Sequence, residues 1–268
     1  MRAKEENDRS APPGDPALCD EGRLVIIAGR LVDFTICLII DRQLTGTYSD
    51  TTGTTLANAL YFLACNPTAY QRLQQEVDEA AIKGDAIFNN DISPSLPYLE
   101  AVITETLRLK PAVPSGQPRV TPTEGLVIDG TWIPGNTIVI IPQYVIQRDE
   151  RFFVRASEFL PERWLDEGKD LVNRQAYFPF VIGELFYISL RLFSFIVDRI
   201  LGPYACPGKQ LALLQMRGVL RGIARDFHIN LAPGEDGVAF DREAKDTFTL
   251  AVKPLQMVFT KRAMASYA

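Results

Sequence analysis

Cys206 is the residue best placed for chemistry. It stands one turn ahead of an amphipathic stretch, residues 210–220, and behind a glycine- and aromatic-containing string, Gly202-Pro203-Tyr204-Ala205. A sulfur at the partly positive N-terminal end of a helix is favoured as thiolate. A thiolate whose backbone neighbours donate hydrogen bonds is an electron-releasing metal ligand, of the kind that on haem iron favours O–O cleavage. The plainer reading of the segment alone is a small buried hydrophobe at a helix start. Asp50 and Thr51 form an adjacent acid and alcohol, which can pass protons through water or can simply cap a helix. Glu105 and Arg108 are three residues apart and share a helix face, which taken alone describes a solvated surface ion pair. His228 is the single histidine, so there is no His-rich metal site and no Cys/His dyad, and a plain surface or core histidine is expected.

The elements that must position these residues are helices first and small sheets later. Residues 56–65 have helical apolar spacing, Asn66-Pro67 breaks the chain, and residues 69–81 read as a polar-faced helix. Residues 99–109 form a further amphipathic helix. An Asp129-Gly130 turn between short apolar runs in 125–133 predicts a hairpin, and 136–141 a strand. Residues 147–175 are irregular and charged, and 247–252 and 256–260 are strand-like. The order is that of an α+β fold, mainly α with small β-sheets.

Composition sets the bounds. At 268 residues with 47% hydrophobic content the chain can bury a sizeable core. A net charge of −5 gives no basic surplus of the kind nucleic-acid binders carry, so no nucleic-acid partner is expected. The four cysteines, Cys19, Cys37, Cys65 and Cys206, lack CxxC spacing, which fits a reducing compartment and argues against zinc. Residues 1–23 are charged and proline-containing and read as a flexible lead-in without signal-peptide character. The apolar runs 24–40 and 185–197 are interrupted by charge, which weakens a transmembrane reading; a membrane-associated helical protein stands as one alternative.

Glu105-Thr106-Leu107-Arg108, Pro161-Glu162-Arg163-Trp164, then Phe180 and Gly183 ahead of Cys206-Pro207-Gly208 occur in the order seen in the cytochromes P-450, the haem-thiolate monooxygenases, and the chain resembles that family. Ser49-Asp50-Thr51-Thr52-Gly53 is similar to its oxygen-activating helix. The resemblance covers about residues 21–262, is closer to the fungal microsomal type than to the soluble bacterial one, and implies a partial domain over 24–268, the C-terminal half of the fold. It implies haem b as cofactor, with Cys206 as the iron ligand, Phe180, Gly183 and Gly208 shaping its loop, and Arg119 reaching a haem propionate. Glu105, Arg108 and Arg163 become a buried structural cluster, and Asp50 and Thr51 the catalytic proton relay. Residues 112–116 and 247–250 would line the pocket. It further implies a small apolar substrate and an NADPH-dependent flavoprotein reductase. A full-length relative would be anchored at the cytosolic face of the endoplasmic reticulum membrane, and this chain would be cytoplasmic.

Two departures bear on activity. In the family Phe-x-x-Gly is followed closely by the cysteine, whereas here 184–202 intervene; likewise 30–48 part Ala28-Gly29 from Ser49. Each segment is 19 residues long, and removing either restores the family's spacing. Codons for Gly183-Glu184-Leu185 can spell a GTGAGT splice donor, so retained in-frame introns are one reading. Tyr204 also stands where the family often has arginine. With the first half of the fold missing, a haem pocket would have one well-formed wall, and the expected consequence is poor haem binding. The alternative is thus an inactive splice or gene-model fragment.

Overall fold

A computed structural model describes residues 48–82, 96–165, 173–180, 206 and 208–262. The lead-in, both apolar runs, Gly183, residues 184–202 and all of 30–48 except Tyr48 lie outside the described residues.

Apolar residues spaced by three and four turn three long helices toward one another. Helix α1 (Tyr48–Cys65) contributes Leu56, Leu60 and Leu63, and α2 (Pro67–Ile82) contributes Tyr70, Leu73 and Val77. Helix α3 (Pro97–Leu109) contributes Leu99, Val102 and Ile103 to the same cluster. The break between α1 and α2 is Asn66, whose side-chain amide donates to the Phe62 carbonyl at 2.7 Å while Pro67 opens the next helix. Both helices run longer than the periodicity predicts, α1 by two turns because its first eight residues, Tyr48 to Thr55, are largely polar and carry no apolar signal.

A short β-ribbon region follows. β1 (Arg119–Val120) pairs antiparallel with β4 (Ile138–Val139), and β2 (Leu126–Ile128) pairs with β3 (Thr131–Ile133) across the predicted Asp129-Gly130 turn. Asp129 and Gly130 have φ of 48° and 75°, the double left-handed turn that suits a two-residue hairpin. The strand expected over 136–141 shrinks to two residues. Helix α4 (Gln143–Ile146) then leads into the irregular segment, whose ordered turns include a 3-10 helix at Pro161–Trp164 and another at Arg174–Ala176.

Helix α5 (Lys209–Asp226) returns to the main core through Met216, Leu220 and Ala224, one face at a spacing of four. It passes directly into β5 (Phe227–Leu231), which pairs with β8 (Met257–Lys261) over five residues. Helix α6 (Val238–Arg242) lies between them in sequence and packs Phe240 with Ala57 and Leu255. The strand expected over 247–252 is instead a tight hairpin, β6 (Lys245–Thr247) against β7 (Thr249–Ala251), because Phe248 takes a φ of 79° and reverses the chain. Among the described residues, four two-stranded sheets against dominant helices make the fold the expected α+β type.

Candidate functional site

Cys206 is half-buried, immediately before the N-terminus of α5. Its amide donates to the Phe180 carbonyl at 3.0 Å, and its own carbonyl accepts from Lys209 N at 3.2 Å. Phe180 is anchored against the main core, and its ring carries the Lys209 ammonium 5.6 Å from its centroid. Gly208 places its backbone beside the Cys206 sulfur, which would lie 3.8 Å from a side chain's first carbon there, an ordinary van der Waals contact. The structure therefore brings Phe180, Cys206 and Gly208 together; Gly183 and Pro207 lie outside the described residues.

Glu105, Arg108 and Arg163 meet in the interior, and the surface ion pair that spacing alone suggests for Glu105 and Arg108 is wrong. Their side chains are at most 1% exposed, because α3 presents them inward to the 3-10 helix Pro161–Trp164. Arg108 reaches both Glu105 oxygens at 2.8 Å through Nε and Nη2, and Arg163 Nε donates to Oε1 at 3.0 Å. Trp164 Nε1 donates to Oε2 at 2.8 Å and Leu160 N to Oε1 at 3.0 Å. Two guanidiniums against one carboxylate leave an excess positive charge, and backbone carbonyls absorb it. Arg108 donates to the carbonyls of Gln147, Ala156 and Glu158, and Arg163 to those of Val154 and Arg155. Trp164 was within the quoted motif, yet nothing in its residue type announced that it would donate to Glu105.

Asp50 and Thr51 sit in the first turn of α1, Asp50 exposed and Thr51 half-buried. Both lie within α1, whose described residues begin at Tyr48. Thr55 donates its hydroxyl back to the Thr51 carbonyl at 2.8 Å, and Thr52, Thr54 and Thr55 are buried. Arg119 opens β1 half-exposed, with Nη1 donating to the Pro118 carbonyl at 3.0 Å and to Gln117 Oε1 at 3.4 Å. The two segments expected to line a pocket do come together. Leu250 N donates to the Ala112 carbonyl at 2.9 Å, and Ser115 N donates to Asp246 Oδ2 at 3.0 Å. His228 is exposed on β5, as its residue type suggested.

Sequence reasoning missed two polar sites. Glu76 on α2 accepts from Tyr98 N at 2.8 Å and Leu99 N at 2.9 Å, capping α3 from another helix. A cleft of about 430 Å³ is lined by Tyr61, Phe62, Cys65, Arg148, Phe159 and Asp241 among others. Burial pushes the Tyr61 phenol up to about 12, and partial burial beside Tyr61 lifts the Cys65 thiol above its usual value.

Among the described residues no three or more His, Cys, Asp and Glu side chains could hold a metal ion, and no helix is long and apolar enough to cross a membrane. Cys206 thus offers a single protein ligand, which fits an iron whose in-plane ligands come from a macrocycle.

The model of the family described as Cytochrome P450 matches residues 42–184. The chain is 38% identical to cytochrome P450 monooxygenase eupD of Phoma sp, over 98% of this chain and 78% of that protein. It is 35% identical to cytochrome P450 monooxygenase orf5 of Eupenicillium brefeldianum, over 90% of this chain and 41% of that protein. Tryprostatin B 6-hydroxylase of Aspergillus fumigatus is 32% identical over 80% of this chain and 35% of its own length. With a match across more than half its residues and a relative covered over most of its length, the chain belongs to the cytochrome P450 family.

Proposed function

We propose that this chain carries the thiolate and proton-handling side of a monooxygenase that inserts one atom of O₂ into a small apolar organic substrate. The observation that carries the reading is the Cys206 loop, tied by its amide to Phe180 with the Gly208 backbone beside its sulfur. Haem b, when bound, supplies the reductive activation of O₂ and the oxygen transfer. Cys206 would be its axial thiolate, and Phe180, Gly183 and Gly208 would let backbone approach the ring. Arg119 would pair its guanidinium with a propionate, a match of planar fork to carboxylate. Asp50 and Thr51 would hold and hand on protons, the exposed acid drawing from solvent and the half-buried alcohol passing inward. The segments joined at Ala112 and Leu250 would bound the substrate. Electrons would come from an NADPH-dependent flavoprotein reductase, and a full-length relative would work at the cytosolic face of the endoplasmic reticulum membrane.

A second reading, an inactive product that does not hold haem, is favoured by one observation: residues 184–202 part Gly183 from the Cys206 segment. One experiment separates the two. The purified chain is titrated with haem, reduced and exposed to CO. A thiolate-type Soret band that disappears in Cys206→Ser supports the monooxygenase reading, and no such band in the parent chain overturns it.

A further inference from the structure

We propose that the cleft between the end of α1, the end of α3 and residues 157–160 is a binding site for a small organic anion, a carboxylate on a flat apolar body, with Arg148 as the residue that pairs with it. The site uses no residue of the Cys206 loop and stands or falls apart from it.

Three observations carry it. The first is an under-used guanidinium. Arg148 follows α4 and is half-buried on the cleft wall. Its Nη2 donates to the Leu109 carbonyl at 2.7 Å, and its central carbon stands 4.4 Å from the centroid of the Tyr144 ring, which covers one face of the fork. Its Nε is buried with no acceptor among the described residues. One carbonyl and one ring are little for a planar fork of N–H donors. Burial works against the charge of Arg148, and so does Arg108 nearby. An anion in the cleft offsets both.

The second observation is the charge around the cleft. The carboxylates that line it are already committed: Asp241 holds the buried Lys110 ammonium at 2.6 Å, and Glu158 faces Arg155 at 3.6 Å. Deeper in, Glu105 faces both Arg108 and Arg163. Lys110, Arg108, Arg148 and Arg163 against Asp241 and Glu105 leave an excess of positive charge. Arg108 and Arg163 spend theirs on several backbone carbonyls, whereas Arg148 has that of Leu109. The third observation is the shape. The cleft, about 430 Å³, has the ordinary volume of a small-ligand site. Phe62 and Phe159 stack with centroids 4.8 Å apart and, with Leu109 and Leu160, form an apolar wall. An apolar wall with one charged anchor suits a flat carboxylate better than inorganic phosphate, which has nothing to set against the rings.

Cys65 is exposed and lines the same cleft, so its alkylation reports occupancy. The full chain is treated with iodoacetamide at about pH 8.5, the ordinary thiol value, and Cys65 labelling is followed by peptide mass spectrometry against glutathione in the same solution. Ionic strength is held constant. A probe the size of benzoate, at ordinary ligand efficiency, binds at about 1 mM, so about 10 mM benzoate should slow Cys65 about tenfold. Benzamide, the same shape without charge, and benzylamine, of opposite charge, should slow it less than about twofold. Arg148→Gln should abolish the benzoate effect. Asp241→Asn removes an opposing carboxylate and should strengthen it at least about twofold. Circular dichroism reports the fold of each variant; where Arg148→Gln unfolds, the ligand series and Asp241→Asn decide. No slowing by benzoate in the parent chain overturns the proposal, since water alone would then meet Arg148. Equal slowing by benzamide or benzylamine overturns it too, because charge would play no part. So does full protection in a folded Arg148→Gln, or no strengthening in Asp241→Asn.

Discussion

Replacing Glu105 with glutamine is the sharpest test of what holds this fold together, since it changes one oxygen to nitrogen and almost no volume. Glu105 accepts five N–H groups on two oxygens, and either placement of the new amide nitrogen sets donor against donor. At the Oε2 position the nitrogen faces Arg108 Nε and Trp164 Nε1. At the Oε1 position it faces Arg108 Nη2, Arg163 Nε and Leu160 N. Two guanidiniums no more than 1% exposed also lose the charge of the carboxylate between them. Removing one partner of a buried pair costs about 3–5 kcal/mol, a large share of the roughly 5–15 kcal/mol that domains possess. Urea denaturation should show the midpoint falling accordingly with the slope unchanged. Arg72→Ala is the comparison: it breaks the exposed Arg72–Glu162 pair, whose side chains are about half exposed, and should cost less than about 1 kcal/mol. A Glu105→Gln loss no larger than that of Arg72→Ala would refute the claim that the buried cluster holds residues 147–164 against α3.

Glu76→Ala should cost about 1–2 kcal/mol by thermal or urea unfolding, because it strips the cap from the Tyr98 and Leu99 amides at the start of α3. Burial lifts the Glu76 carboxyl above the usual carboxylate range, against the two amides and Arg72 that pull it down. A group whose folded value is raised gives stability that is fully present below its unfolded value and lost as pH rises through the folded one. Parent stability measured upward from about pH 4 should therefore carry a decline that Glu76→Gln abolishes. Gly116→Ala should destabilise by about 1–3 kcal/mol, because the residue has φ of +75° and its new Cβ would fall 2.1 Å from the Ile141 carbonyl oxygen. Its first local sign would be faster amide exchange at Tyr144, which donates to the Pro114 carbonyl in the same turn.

Elements with strong periodicity could be read from the sequence because their signal is local. Leu99, Val102, Ile103 and Leu107 mark α3 by spacing alone, and Asp129-Gly130 marks its hairpin by turn chemistry. The parts that could not be read depend on partners far along the chain. Nothing near Phe227 predicted that β5 would pair with β8 thirty residues later, since its apolar residues follow a helix without a break. Phe248 was unreadable as a reversal because bulky residues rarely take positive φ; the hairpin forces it there. At the site, Glu105 and Arg108 show the limit most clearly. Local spacing yields a surface pair, while burial follows only when Arg163 and Trp164, more than fifty residues on, close over them.

That closure also explains why a purely structural cluster belongs with the thiol. Arg108 donates to the Gln147 carbonyl, and the Gln147 side chain accepts from Phe178 N at 3.4 Å. Trp164, held by Glu105, packs its ring 4.7 Å from that of Tyr177. Both routes converge on residues 177–178, two or three before Phe180, whose carbonyl accepts the Cys206 amide. A second tie runs from the same α3, where Glu100 accepts from Arg217 Nη2 at 2.9 Å and so fixes α5, the helix that Cys206 precedes. Helix α3 therefore ties both sides of the cysteine loop, Glu105 through residues 147–178 and Glu100 through α5. A charged cluster is a costly way to gain stability, since apolar residues could fill the same space. Its value here is directional: guanidinium forks fix angles that methyl groups would leave free, and the loop they aim carries the Cys206 sulfur to the start of α5.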